Sequence, residues 1–411
     1  MDSENFIKMK QNEDINQTKF LGNNIAFSNG KEWEKHRKVI NPVFKKGWDI
    51  NIFIKTGIKM INYMKINEDK FELITILKNS TLDALGLSIF DIDFNSIEDE
   101  NCELALLYIK LVKSLSNLWF LLFPFLDKLP IPSRVQLKKD AEHFRQLIKS
   151  MINEKREQIN KLEYDKIQSN LLTMLIQSSD TNDNDNSDGL TDEEIINDVI
   201  IFFIAGHDTT AHTISTILYY LAKNQDVQAK LRNEINQVLG KKSKNIKDIK
   251  INQEELNKMV YLEAVITEGM RIVPVSTLII REVSKDINFN NEIRFKKGQL
   301  LMLNLLLAMN NDNEFKNPEE FNPDRFLINN DNNEQAQINK KLSKDMITFG
   351  FGSRMCTGSQ FSILEQKVYL ILLLISFKIE LPFDSLHHNY PVLPAFGIVS
   401  PKDLKLNFIA I

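Results

Sequence analysis

Apolar residues recur at three- and four-residue intervals along most of the chain, the spacing of one face of a helix. This predicts a mainly α protein with small β-sheets. Residues 134–176 read as helix, and the stretch "SSDTNDNDNSDG" (Ser178 to Gly189) then breaks the pattern with turn formers and acidic side chains. It predicts a surface loop. Its likeness to a calcium-binding loop fails on register, because Gly189 stands one place off if Asp183 and Glu194 are positions one and twelve. Directly after it Thr191 offers an N-cap and Glu194 the reciprocal capping-box partner, and a helix is predicted to run on to about Lys223. At about 1.5 Å per residue it would be roughly 45 Å long. Ile195, Ile196, Val199, Ile200, Phe202, Phe203 and Ile204 cover much of its circumference, which predicts a central, buried helix. Further on, "STLIIREV" (Ser276 to Val283) and "GQLLMLNLL" (Gly298 to Leu306) read as strands.

Polar residues interrupt the central helix at "AGHDTT", Ala205 to Thr210. A glycine inside a helix costs about 1 kcal/mol against alanine. Asp208 and Thr209 place a charge and a hydroxyl among apolar neighbours, where burial of polar groups is costly. One reading is a kink with locally satisfied polar groups. The other is a gap for a ligand beside Gly206, with an acid and an alcohol poised to relay protons. "EGMR" (Glu268 to Arg271) closes a later helical stretch, and its opposite charges three residues apart share a face. Alone, that spacing is a common surface ion pair.

Composition narrows the classes. The chain has 411 residues, 43% of them hydrophobic, enough for a large core, and its length allows one big domain or two to three ordinary ones. A net charge of −4 argues against nucleic-acid binding, which needs a basic face. Two cysteines far apart do not form a disulfide framework, so a reducing intracellular setting is expected. The first twenty residues contain no continuous apolar segment, hence no leader or anchor is expected there. The apolar runs "NLWFLLFPFL" and "VYLILLLISF" have the length of core segments.

Cys356 lies in "FGFGSRMCTG", Phe349 to Gly358, a loop with three glycines and an arginine. Compartment and count disfavour a disulfide. No second Cys or His sits at zinc-ligand spacing; a nucleophile stays open, although no His follows at a recognisable family spacing. An axial thiolate on haem iron accounts for the surroundings. Gly350, Gly352 and Gly358 would let the backbone turn tightly under the metal, Arg354 would pair a propionate, and the apolar helix after the loop would lie beneath the macrocycle.

Taken together these motifs resemble the cytochrome P450 family of haem-thiolate monooxygenases, closest in style to its eukaryotic microsomal members. "FGFGSRMCTG" satisfies F-x-x-G-x-R-x-C-x-G at every fixed position, with Thr357 where an aliphatic residue is more usual. "AGHDTT" matches the oxygen-activation motif, "EGMR" matches E-x-x-R, and "FNPDRF" matches the segment whose arginine, here Arg325, joins Glu268 and Arg271 in a structural triad. "WEKHR" matches W-x-x-x-R, whose Trp33 and Arg37 bind a haem propionate, and Arg281 stands where another propionate-binding arginine does. Order and spacing agree from about Asn24 to the C-terminus.

The resemblance implies heme b ligated by Cys356, Asp208 and Thr209 delivering protons, and insertion of one atom of O2 into a lipophilic small molecule. Ile201, Ala205, Val275, Leu278 and Ile398 are expected to line the pocket. No flavin or nicotinamide motif is present, so electrons are expected from an NADPH-dependent reductase. Lys31, Lys35, His36, Arg37, Lys38, Lys45 and Lys46 are its candidate docking face. Family members are usually bound to the endoplasmic-reticulum membrane. Trp33 comes far earlier here than in the family, so the membrane anchor and first sheet strands are expected to be missing, leaving an open sheet edge. An oxygen-independent haem-thiolate isomerase or dehydratase, and an impaired or inactive haem-binding remnant, are the alternatives.

Overall fold

A computed structural model defines residues 4–9, 15–99, 102–115, 119–120, 123–161, 170–179, 189–244, 246–290, 292–328, 337–339, 346–394 and 397–411. Its main helices are α1 Gly30–Lys45, α2 Ile50–Asn67, α3 Leu73–Leu85, α4 Glu103–Leu115, α5 Pro132–Lys161, α6 Leu171–Ser179, α7 Asp192–Gly206, α8 Asp208–Lys223, α9 Gln225–Leu239, α10 Val260–Ile272 and α11 Ser359–Ser376. Short strands are β1 Phe6–Ile7, β2 Leu278–Val283, β3 Ile287–Phe289, β4 Ile293–Phe295, β5 Leu300–Asn304, β6 Leu327–Ile328, β7 Gln337–Ile338, β8 Phe377–Glu380 and β9 Asn407–Ala410. The architecture is mainly α with small β-sheets, as the periodicity predicts. The chain divides into two compact units, one of Met1–Gly47, Leu85–Ala205 and Ile280–Leu301, the other of Trp48–Ala84, Gly206–Ile279 and Met302–Ile411.

In the first unit, α5 packs on α4 and α6, and α6 packs on α1. Phe144 of α5 is the hub of this core. Fully buried, its ring meets those of Phe20, Tyr108 and Phe203, and Phe203 stacks on Phe90 at 4.8 Å between centroids. Helix α7 starts with the expected capping box: the Thr191 hydroxyl accepts from the Glu194 N–H at 3.2 Å, and Glu194 Oε2 accepts from the Thr191 N–H at 2.7 Å.

The second unit is organised by α11, whose apolar residues face all round and are buried accordingly. Its Tyr369 hydroxyl lies 2.8 Å from Thr56 Oγ1 on α2, accepts from Ser80 Oγ on α3 at 2.8 Å and donates to Ser80 O at 2.9 Å. One buried hydroxyl thus ties three helices. Helices α8, α9 and α10 also pack against α11, while β8 and β9 pair antiparallel from Phe377↔Ala410 to Glu380↔Asn407.

Four sequence expectations change. The central helix is not continuous: α7 ends at Gly206 and α8 begins at Asp208, with His207 between them at φ −102° and ψ −43°. The His207 carbonyl there accepts both the Ala211 N–H at 3.0 Å and the Thr81 hydroxyl at 3.2 Å, a side-chain donor inserted where the ladder breaks. The helix read over 134–176 is observed as α5 and α6, and most of the candidate calcium loop, like residues 162–169, lies outside the described residues. The second strand stops at Asn304 because that side chain accepts the Leu307 N–H at 3.0 Å and caps a short helix, Leu305–Met309. Finally, the sheet edge expected to be open carries a two-residue partner, for β1 pairs antiparallel with β2 (Phe6↔Val283, Ile7↔Glu282) in a sheet ordered β1-β2-β5. The segment Leu73–Phe90 is apolar and long enough by composition to cross a membrane, but it is 67% buried in the fold and reads as core.

Candidate active site

The break after α7 exposes one side of an otherwise buried helix. Ala205 is exposed and Ile204, Gly206 and Thr209 are half-buried, whereas Asp208 and Thr210 are buried. Asp208 Oδ1 lies 2.9 Å from Lys78 Nζ on α3 and 4.0 Å from His207 Nε2. Burial alone would raise its pKa, but the charges of His207 and Lys78 outweigh it and hold the carboxyl below the usual range. Asp208 is therefore ionised at neutral pH. His212, one turn on, is pushed down to about 4, first by burial and then by Lys78, and its Nδ1 lies 2.6 Å from Ser400 Oγ. The two threonines differ in surroundings: Thr210 Oγ1 is 2.9 Å from Ser362 Oγ on α11, which accepts from Gln366 Nε2 at 3.0 Å, while Thr209 is half-buried.

In the same unit the cysteine loop folds on itself. The Cys356 N–H donates to Phe349 O at 2.9 Å, Met355 N–H to Gly352 O at 3.1 Å and Gly350 N–H to Ile347 O at 2.8 Å. Gly350 and Gly352 have φ of 71° and 70°, a region that favours glycine, so two of the three glycines are needed for the turn itself. Gly358, at φ −82°, instead precedes the first residue of α11. Cys356 is exposed, forms no disulfide, and is flanked by exposed apolar Phe351 and Met355, with Arg354 half-buried beside them. An exposed soft thiol donor among exposed apolar side chains and one cation fits a flat apolar macrocycle with an anionic edge. The residues present suit haem.

Glu268 and Arg271, ordinary as a sequence pair, are both fully buried. Arg271 Nε and Nη2 donate to the two Glu268 oxygens at 2.7 and 3.0 Å, and Arg325 Nε donates to Oε1 at 3.1 Å. Arg271 also donates to Met309 O and Pro318 O at 2.9 and 2.7 Å, and Arg325 to Lys316 O at 2.8 Å. Two guanidinium forks thus fasten the loop between the short helix and β6 to α10.

Trp33, Arg37 and Arg281 belong to the first unit. The Arg37 guanidinium lies 5.6 Å from the Trp33 ring centroid on α1, as residues four apart allow. Arg281 is mostly buried on β2, its Nη1 donates to Ile280 O at 2.8 Å, and burial lowers its pKa. Of the basic run, Lys31, Lys38, Lys45 and Lys46 are exposed, whereas His36 is fully buried and Lys35 is ion-paired to Glu194 at 2.8 Å. Both are engaged by acids of α7 and leave the candidate docking face. Among expected pocket residues, Val275 and Ile398 are brought together by the Ser276↔Ile398 bridge and the Val399 N–H to Val275 O bond of 2.9 Å, and Leu278 lies on β2. Ile201 and Ala205 lie on α7, the former buried and the latter exposed.

Sequence reading missed Lys78, His36 with Asp198, and the buried Glu365 on α11. The available signal was a polar residue on an otherwise apolar helical face, as with His36 beside Ile40, Val43 and Phe44.

A helical fold with an exposed cysteine loop, an interrupted central helix and a buried Glu–Arg–Arg cluster defines a haem-thiolate class of protein. The family model for cytochrome P450 matches residues 2–406, and the chain belongs to that family. It is 25% identical to cytochrome P450 6B7 of Helicoverpa armigera over 95% of this chain and 77% of that protein. It is 29% identical to a probable cytochrome P450 6a20 of Drosophila melanogaster, and 26% identical to cytochrome P450 3A18 of Rattus norvegicus, each over 88% of this chain and 71% of the relative. Membership makes it an oxidoreductase of the haem-thiolate monooxygenase type.

Proposed function

We propose that the chain, acting as a single haem domain over 1–411, inserts one oxygen atom from O2 into a lipophilic small molecule, with Cys356 as the thiolate ligand of heme b. The observation that carries this reading is the exposed thiol of Cys356 on a glycine turn flanked by Phe351 and Met355. Haem, when bound, supplies the activation of dioxygen. The chain's own residues hold and position.

Arg354 would pair with a haem propionate beside the cysteine loop, and Trp33, Arg37 and Arg281 are read as propionate contacts from the family motifs they match. Glu268, Arg271 and Arg325 keep the segment before the cysteine loop in place. Asp208, ionised and 2.9 Å from Lys78, sits at the entry of the proton path, and Lys78, with 32% of its side chain exposed, holds that buried carboxylate in place and links it to the solvent from which the proton comes. The half-buried Thr209 hydroxyl orients the last proton donor. The apolar character of the residues expected to line the pocket favours a lipophilic substrate. Electrons come from an NADPH-dependent reductase that docks on exposed Lys31, Lys38, Lys45 and Lys46. Family members are usually bound to the endoplasmic-reticulum membrane, which supports an intracellular setting for this chain.

The test is the ferrous carbonyl spectrum of the purified protein. A strongly red-shifted Soret band is expected, and Cys356→Ser should abolish it while Cys102→Ser leaves it intact. A thiolate spectrum surviving in the Cys356→Ser protein would overturn the assignment.

A further inference from the structure

Helix α1 presents two neighbouring residues to two acids one turn apart on α7. His36 Nδ1 lies 2.5 Å from Asp198 Oδ2, both side chains being fully buried, and Asp198 Oδ1 accepts the Ile25 N–H at 2.8 Å. Beside them Lys35 Nζ donates to Glu194 at 2.8 and 3.1 Å, and Glu194 Oε1 is 3.9 Å from His36 Nε2. The rest of the α1 contact is apolar: Ile40, Val43 and Phe44 are buried, and Phe44 stacks on Phe202 of α7 at 5.5 Å.

Apolar contacts hold a helix down without fixing its rotation, because burial is non-directional. A short buried hydrogen bond is directional and does fix it. His36 is the residue next to Arg37 and three after Trp33, so the rotation it sets is the rotation at which both are presented.

We propose that His36 is a positioning residue: through its Nδ1 bond to Asp198 it sets the turn of α1 that offers Trp33 and Arg37 to an anionic haem edge. The inference rests on the haem reading above. It assigns the work to one ring nitrogen, and Asn and Gln separate the two, since the amide of Asn falls near Nδ1 and that of Gln near Nε2.

The test compares holoproteins carrying His36→Asn, His36→Gln, Arg37→Ala and the His36→Gln/Arg37→Ala pair, by the rate of haem transfer to excess apomyoglobin and by thermal midpoint. His36→Gln should release haem about tenfold faster, at the low end for loss of an outer partner. His36→Asn should stay within about twofold of the parent. In the Arg37→Ala background His36→Gln should add much less than its full factor, because one of the two groups it acts through is gone. If His36→Gln adds its full factor in that background, or if Asn and Gln lose haem equally in step with their thermal midpoints, the role is merely structural and the proposal fails. Failure of the haem reading has a different signature. A thiolate band in Cys356→Ser removes the ligand assignment yet leaves the order of Asn over Gln, whereas a parent protein that takes up no haem overturns both.

Discussion

Glu268 on α10 and Glu365 on α11 are both fully buried in the same unit, yet their surroundings are opposite. Glu268 accepts four hydrogen bonds, three from Arg271 and Arg325 and one from the Asn322 N–H at 2.8 Å. Neither oxygen of Glu365 has a hydrogen-bond partner in range among the described residues. Burial drives the Glu365 carboxyl well above the usual carboxylate range, against a smaller pull from the nearby Tyr369 hydroxyl. The contrast teaches that depth does not decide what a buried acid does. Fixed cations turn one into a fastener; their absence leaves the other a neutral, packed side chain.

Removing the fastener should have the largest effect. Glu268→Ala leaves the buried Arg271 and the partly buried Arg325 without their carboxylate, and loss of one partner of a buried ion pair typically costs about 3–5 kcal/mol. Urea unfolding followed by tryptophan fluorescence should show it, with poor haem retention in expression. A loss under about 1 kcal/mol would erase the distinction between the two acids.

Glu365→Met should do little at low pH and help at high pH. With its folded pKa raised, the native state keeps a proton that the unfolded chain gives up above about 4.5, the ordinary value. The stability it allows is thus fully present below that pH and falls as pH rises toward the folded pKa. Thermal midpoints of the parent should decline over that window, and the Met variant, which cannot titrate, should decline less. Parallel curves for the two proteins would show that Glu365 is not the source of the slope.

The smallest effects separate the two hydroxyls beside Asp208. Thr210→Ala removes the hydrogen bond to Ser362 and should cost about 1 kcal/mol of stability with little change in turnover. Thr209→Ala should divert reductant to peroxide, while peroxide-supported oxidation suffers less. Unchanged coupling of reductant use to product in Thr209→Ala would remove that residue from proton delivery.

Much was legible along the chain because it is local. Three- and four-residue periodicity specifies amphipathic or buried helices, the Thr191–Glu194 box marks where α7 starts, and the glycines at 350 and 352 announce a turn that other residues adopt poorly. The motif from Phe349 to Gly358 carries the family signature within ten consecutive residues. What the sequence could not settle depends on residues far apart in the chain. Glu268 is an ordinary i, i+3 acid until the fold brings Arg325 to it across 57 positions, and His36 is part of a basic run until Asp198, 162 positions away, draws it into the core. The central helix reads as continuous because no residue in it forbids continuity; its break at His207 is made with a hydroxyl from Thr81, 126 positions earlier. Side-chain type and spacing determine which local structures a segment can adopt. Only the tertiary structure decides which polar groups find each other, because partner choice is a property of three-dimensional proximity and of the desolvation that comes with it.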